Sequence, residues 1–408
     1  MTGALSVADK LEILADAAKY DASCASSGGD KRDSRGSGIG SNTGNGICHS
    51  YTPDGRCVSL LKILLTNACV FDCAYCINRR TSNVRRARFT VREVIDLTLE
   101  FYKRNYIEGL FLSSGIIRSP DYTMECLVRV ARTLRTEHAF RGYIHLKTIP
   151  EASVDLIREA GLYADRLSIN IEMPTPESLQ RFAPEKQAHS IRGTMQNLSG
   201  RIAEARADRR APRFSPAGQS TQLIVGADAS SDSVVLATAS ELYDRYRLRR
   251  IYYSAFSPIP EASTLLPARP APLLRENRLY QADWLIRHYG FSAAEIIAGT
   301  VNGMLDQDID PKLAWALRNR DRFPVDVNIA DREMLLRIPG LGLRSADRLL
   351  LARRHCRLRL DDLRRLTLSV RKLLPFVVTA DHHPGSLLDS TGLRQWFTPR
   401  KRQLSLFG

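Results

Sequence analysis

Residues 64–80 read "LLTNACVFDCAYCINRR", which spaces Cys69, Cys73 and Cys76 as C-x3-C-x2-C. Three thiolates on so short a loop can ligate three irons of a four-iron cluster and leave the fourth iron open to another ligand. A zinc site usually closes its tetrahedron with paired Cys/His dyads, and no second dyad follows the triad. Buried free thiols are the remaining structural alternative.

The elements that must position this loop follow from hydrophobic periodicity. Leu11, Leu14 and Ala18 repeat at helical spacing near the N-terminus. Residues 26–48 are rich in Gly and Ser and read as a loop. From residue 58 apolar runs alternate with helical patterns. Strands are predicted at 58–65, 109–114, 143–148, 166–172, 221–227 and 250–256. Helices are predicted between them at 91–102, 124–134, 153–160, 190–206 and 233–246. Continuous apolar strands joined by helices predict an α/β fold with a parallel sheet. Right-handed crossovers would curl it into a partial (β/α)6 TIM-like barrel. Cys69 follows the first barrel strand, so the cysteine loop falls on the carboxyl face, where parallel barrels carry their sites.

The chain is predicted to divide into an N-terminal helix and Gly-rich segment (1–57), the barrel (58–260), a Pro-rich linker with helices (261–322), a C-terminal all-α domain (323–380) and a basic tail (381–408). Within the all-α domain, residues 328–354 predict helices near 330–338 and 344–354, joined by Pro339-Gly340-Leu341-Gly342. This resembles the helix-hairpin-helix motif of DNA repair and recombination proteins. Gly340 and Gly342 would let backbone N–H groups approach a phosphate at a helix N-terminus. Arg344, Arg348, Arg353 and Arg354 would add charge. A plain helical hairpin is the alternative.

The triad, with Tyr75 just before its last cysteine, resembles the radical S-adenosylmethionine (SAM) superfamily, whose enzymes bind SAM at the open iron of a 4Fe-4S cluster. The resemblance implies SAM-binding roles by position. Ser113, Ser114 and Gly115 end the second strand, in place of the superfamily's usual Gly-Gly-Glu. Asn170 and Glu172 on the fourth strand would meet ribose hydroxyls. Gln222 and Gly226 lie on the fifth strand, and Tyr253 on the sixth would face adenine. Cys24, Cys48 and Cys57 precede the triad and could hold an auxiliary cluster, although their irregular spacing also suits unrelated thiols.

The order "YDASC…GICHSYTPDGRC", triad, barrel and hairpin resembles the radical SAM family assigned to DNA modification or repair. A reductase, ferredoxin or flavodoxin would be the electron donor. The formal net charge of +15 suits a polyanionic partner and fits DNA. The alternatives are a tRNA- or rRNA-modifying radical SAM enzyme and a non-catalytic iron–sulfur DNA-binding protein. Gln403, Leu404, Leu406 and Phe407 in "QLSLF" resemble the pentapeptide that binds the bacterial sliding clamp. The first twenty residues show no signal peptide and no apolar run nears the roughly 18 residues of a membrane span, so a cytoplasmic location is expected.

Overall fold

In the computed structural model the described residues are 5–18, 46–51, 57–208, 210–261, 263–367 and 370–398. Contacts divide them into two units, one of residues 1–229 with 241–271 and one of 230–240 with 272–408. The break after Ala271 falls inside the Pro-rich stretch. The second unit takes in most of the segments expected separately as linker, hairpin and tail.

The first unit begins with α1 (Val7–Ala18), which buries Leu14, Ala15 and Ala18. Then come β1 (Ile47–Tyr51), β2 (Cys57–Leu64), α2 (Val91–Lys103), β3 (Gly109–Ser113), α3 (Pro120–Thr136), β4 (Tyr143–Lys147), α4 (Val154–Tyr163) and β5 (Arg166–Ser168). Then follow α5 (Pro176–Phe182), α6 (Ala188–Ala207), β6 (Gln219–Val225), α7 (Asp232–Tyr246), whose first residues count with the second unit, and β7 (Arg250–Ala255). Helix starts are set by local chemistry. Thr90 and Glu93 form a reciprocal capping box on α2, and Ser119 caps α3 ahead of Pro120.

The sheet order is β1-β2-β3-β4-β5-β6-β7, and β2 to β7 pair in parallel. It curls as a half-barrel, the partial TIM-like form expected. The unforeseen strand is β1, an antiparallel edge on β2 drawn from the segment read as N-terminal loop. The predicted strand 166–172 is interrupted. It leaves the ladder after Ser168 and rejoins at a single bridge between Glu172, which adopts φ +63°, and Leu223.

Side chains on a strand alternate between faces. One face carries Leu61, Ile63, Leu110, Leu112, Ile144, Leu146, Leu167, Leu223, Ile251 and Tyr253, all completely buried. The register aligns Lys62, Phe111, His145 and Arg166 on the other, inner face, which continues through Ser220, Gln222 and Tyr252.

The second unit carries α8 (Leu273–Tyr289), α9 (Ala293–Ile297), α10 (Pro311–Arg318), α11 (Arg332–Arg337), α12 (Leu343–Ala352) and α13 (Leu360–Leu366). It is not wholly helical: Val325–Asp326 pairs in parallel with Val377–Val378. Arg337 joins its parts, with its guanidinium 4.9 Å from the Phe291 ring and 5.8 Å from that of Trp315. It donates to Glu295 at 3.4 Å and forms an ion pair with Glu333 at 3.1 Å.

Candidate iron-sulfur and cofactor site

The loop after β2 is held by its own backbone and one arginine. Asn67 Nδ2 donates to Arg85 O at 2.7 Å, and Ala87 N donates to Asn67 Oδ1 at 2.8 Å, closing residues 67–87 into a ring. Inside it the Arg86 guanidinium donates to Asn67 O (2.5 Å), Asn78 O (3.0 Å), Arg79 O (2.6 Å) and Ser82 O (2.8 Å). Two contacts dock the loop on the α5–α6 segment: Asp72 N donates to Glu185 Oε1 at 2.9 Å, and Ala74 N to Phe182 O at 2.7 Å. The strand β3 ends against it, with Gly115 N donating to Thr66 O at 2.8 Å. A Cβ on Gly115 would stand 2.3 Å from Ala68 O, so only glycine allows this approach.

All three cysteines line one pocket of ≈ 290 Å³. Burial pushes the Cys73 thiol up, and pushes that of Cys76 up to about 12, with the neighbouring thiols adding to both. Buried thiols whose ionisation is disfavoured are suited to metal ligation, which supplies the missing counter-charge. Ile116 N donates to Cys69 Sγ at 3.4 Å, the kind of bond that tunes a cluster thiolate. Among the described residues no group of three or more His, Cys, Asp or Glu is placed to hold a metal ion. Three thiolates on one loop with no second Cys/His dyad following suit a cluster with one open iron better than a closed tetrahedral zinc site.

Of the residues expected at SAM, Tyr75, Ser114, Gly115, Asn170, Glu172 and Gln222 line this pocket. Asn170 Nδ2 donates to Gln222 Oε1 at 3.2 Å and to Glu172 Oε2 at 3.4 Å. Three expected residues are not in its lining. Tyr253 is fully buried on the helix-packed face, one residue out of phase, and Ser254 takes the inward position. Ser113 is 1% exposed and covered. Gly226, at φ +80°, turns the chain away after β6.

The sequence reading missed Lys186. Its Nζ donates to Glu172 Oε1 at 2.7 Å and to Tyr75 Oη at 3.3 Å. Burial disfavours its charge, but Glu172, Tyr75 and Cys73 outweigh that and hold the ammonium well above its ordinary range. The Tyr75 phenol is pushed well up by burial and by Glu172. Lys147, Ser254 and Ser257 also line the pocket. A lysine in the short "PEKQ" connection carries no spacing signal that could have marked it.

Residues 63–199 match the family model described as the radical SAM superfamily, so this stretch of the chain is a radical SAM domain. That superfamily uses a 4Fe-4S cluster and SAM. Cys69, Cys73 and Cys76 fit the cluster, and the Tyr75–Lys186–Glu172–Asn170–Gln222 group offers donors and acceptors for SAM's polar groups. Among solved structures, the chain is similar to HydG, a maturase of the [FeFe]-hydrogenase, at 15% identity and TM-score 0.41, covering 55% of this chain and 48% of that one. The HydG from Carboxydothermus hydrogenoformans gives 15% and 0.42, covering 55% and 50%. A radical SAM methyltransferase from Sphaerobacter thermophilus gives 13% and 0.39, covering 58% and 69%. The chain thus spans about half the length of the HydG structures it matches. No curated protein matches.

Elsewhere, α11 and α12 pack as neighbours across Ile338–Gly342, with Gly340 at φ +83°. Gly342 is the N-cap of α12. Arg344, Arg348 and Arg354 are exposed. Arg353 instead donates to Val327 O at 3.1 Å and Ala330 O at 2.6 Å, so its guanidinium has a structural task. Of the extra cysteines, Cys24 lies outside the described residues, and Cys48 pairs with Leu60 in β1 while the backbone of Cys57 pairs with Tyr51. Gln403, Leu404, Leu406 and Phe407 also lie outside the described residues. Among the described residues no helix is long and apolar enough to cross a membrane.

Proposed function

We propose that the protein is a radical SAM enzyme that modifies or repairs DNA. The carrying observation is that Cys69, Cys73 and Cys76 line one pocket with Asn170, Glu172, Lys186 and Gln222, at the matched radical SAM segment. When bound there, reduced cluster and SAM supply a 5′-deoxyadenosyl radical able to abstract a hydrogen atom. The chain's own residues orient and seal. Lys186 and Glu172 form a fixed charge pair for the polar end of SAM. Asn170 and Gln222 offer amide groups for its ribose. Ile149, Phe256 and Ile259 give the same pocket apolar walls.

DNA as substrate rests on the net charge of +15, the glycine-containing hairpin before α12 and the exposed Arg344, Arg348 and Arg354. A base inside a duplex would have to be extruded to reach a buried radical. The C-terminal pentapeptide would recruit the enzyme to the sliding clamp. A clamp-binding assay in which Leu406→Ala with Phe407→Ala loses no affinity would remove that partner.

The deciding test is 5′-deoxyadenosine release by anaerobically reconstituted protein, with Cys73→Ala as control, in the presence and absence of duplex DNA. Release that rises with DNA supports the reading. Release indifferent to DNA points to RNA or a small molecule. An intact cluster that releases nothing under strong reductant turns the reading to a non-catalytic iron–sulfur protein.

A further inference from the structure

The exposed arginines of the barrel unit differ in how their charge is compensated. Several on the outer helices are paired with carboxylates on their own helix: Arg92 with Asp96 at 3.0 Å, Arg129 with Glu125 at 2.8 Å and Arg158 with Asp155 at 3.4 Å. Such exposed pairs leave little net field outward. On the loops at the carboxyl end of the sheet the pattern reverses. Arg85, Arg88 and Arg118 are exposed, and among the described residues none of them makes an ion pair. Asp9 of α1 feels the charge of Arg85 without forming one.

All three stand on the segments that flank the cysteine loop and the end of β3: Arg85 O accepts from Asn67 Nδ2. Arg88 forms an antiparallel bridge with Thr66, three residues before Cys69. Arg118 follows Ile116, which lines the pocket, by two residues. Both are held on one ring. Arg88 Nη2 donates to Tyr122 Oη at 2.8 Å, and its guanidinium lies 5.6 Å from the ring centroid. The Arg118 guanidinium lies 4.7 Å from the same centroid. Two like charges therefore share one tyrosine with no carboxylate between them. Arg118 also sits at φ +58°, in the left-handed region that a non-glycine residue rarely adopts. A held, uncompensated pair of guanidiniums beside the cysteine loop is what a phosphate backbone would meet at little further ordering cost.

We infer that the Arg85–Arg88–Arg118 rim is a docking surface for the DNA phosphate backbone, which presents the target nucleotide over the pocket. The inference rests on the reading of the partner as nucleic acid and adds a second contact region, on the barrel unit itself. DNA is preferred to structured RNA because recognition of single-stranded RNA bases calls for open aromatic faces. The aromatic ring on this rim, Tyr122, is already engaged by Arg118.

The test is equilibrium binding of a fluorescent duplex to the full-length, cluster-loaded chain between about 50 and 200 mM salt. Three proteins are compared: wild type, the rim variant Arg85→Gln/Arg88→Gln/Arg118→Gln, and the charge-matched control Arg92→Gln/Arg129→Gln/Arg158→Gln. Each lost phosphate contact lowers the slope of log K against log salt by about 0.9, so the rim variant should lose about 2 to 3 units and at least tenfold in affinity. The control should stay near wild type, and a rim variant with lysines in place of the arginines should recover most of the slope. Unchanged cluster absorbance certifies folding. A rim variant that matches the control overturns the inference while leaving the nucleic-acid reading intact. Wild type that binds no nucleic acid overturns that reading itself. A rim effect on structured RNA but not on duplex replaces DNA as the occupant.

Discussion

Arg86 should be the residue on which the cysteine loop depends. Its guanidinium donates to four main-chain carbonyls, of Asn67, Asn78, Arg79 and Ser82, at 2.5 to 3.0 Å. A hydrogen bond from a charged donor contributes about 1.5–3 kcal/mol. Arg86→Ala leaves four acceptors to find water in a half-buried ring, so part of the sum is recovered, and a net loss of about 3–5 kcal/mol is expected, the range for removing one member of a buried charged network. Against a domain stability of about 5–15 kcal/mol that is a large fraction. The assay is urea unfolding of the apo chain together with iron content after anaerobic reconstitution. Arg86→Ala should lower the midpoint and bind substoichiometric iron. Arg86→Lys, which lacks the planar fork, should recover less than half of the loss. The neighbouring Arg85→Ala, whose side chain is exposed, should shift stability by no more than about 0.5 kcal/mol. A wild-type midpoint and full iron content in Arg86→Ala would refute the reasoning.

Other outcomes follow from the same geometry. Gly115→Ala places a Cβ against Ala68 O and should cost about 1–3 kcal/mol with impaired cluster loading, read by absorbance and unfolding. Glu172→Gln strands the buried Lys186 ammonium and should weaken SAM binding at least tenfold by calorimetry while the cluster spectrum stays unchanged. Tyr253→Phe, on the helix-packed face, should leave SAM affinity unaltered, whereas Gln222→Leu should weaken it; equal losses would contradict the assignment of faces. In the second unit, burial lowers Lys312 from 10.5 to about 7, against a smaller opposing pull from Asp310. The unfolded chain then binds the extra proton between pH 7 and 10.5, so folding stability should rise with pH across that window, by up to about 1.4 kcal/mol per unit. Lys312→Met should flatten that slope in urea titrations at pH 7, 8 and 9.

What was legible in the sequence is what a strand or a spacing encodes locally. The triad's position after the first barrel strand follows from one apolar run, and the positions of Asn170, Glu172 and Gln222 come from the superfamily resemblance laid onto two more. The errors came where counting along a strand needs a phase. Tyr253 and Ser254 are neighbours on β7, and the superfamily resemblance points to the tyrosine as an adenine contact. The register of Gln222 opposite Tyr252 instead sends Tyr253 to the helices and Ser254 to the pocket. The residues that assemble the site were not legible at all. Lys186 reaches Tyr75 across 111 positions, and Glu185 reaches Asp72 across 113. Arg86 differs from the exposed Arg85 only in direction, since adjacent residues of an extended segment point opposite ways. In a run such as "NVRRARF" the sequence counts the charges but does not say which is turned inward as a structural clasp and which remain on the surface. That division separates Arg86, whose loss should unmake the loop, from Arg85 and Arg88, whose loss should weaken only the grip on a polyanion.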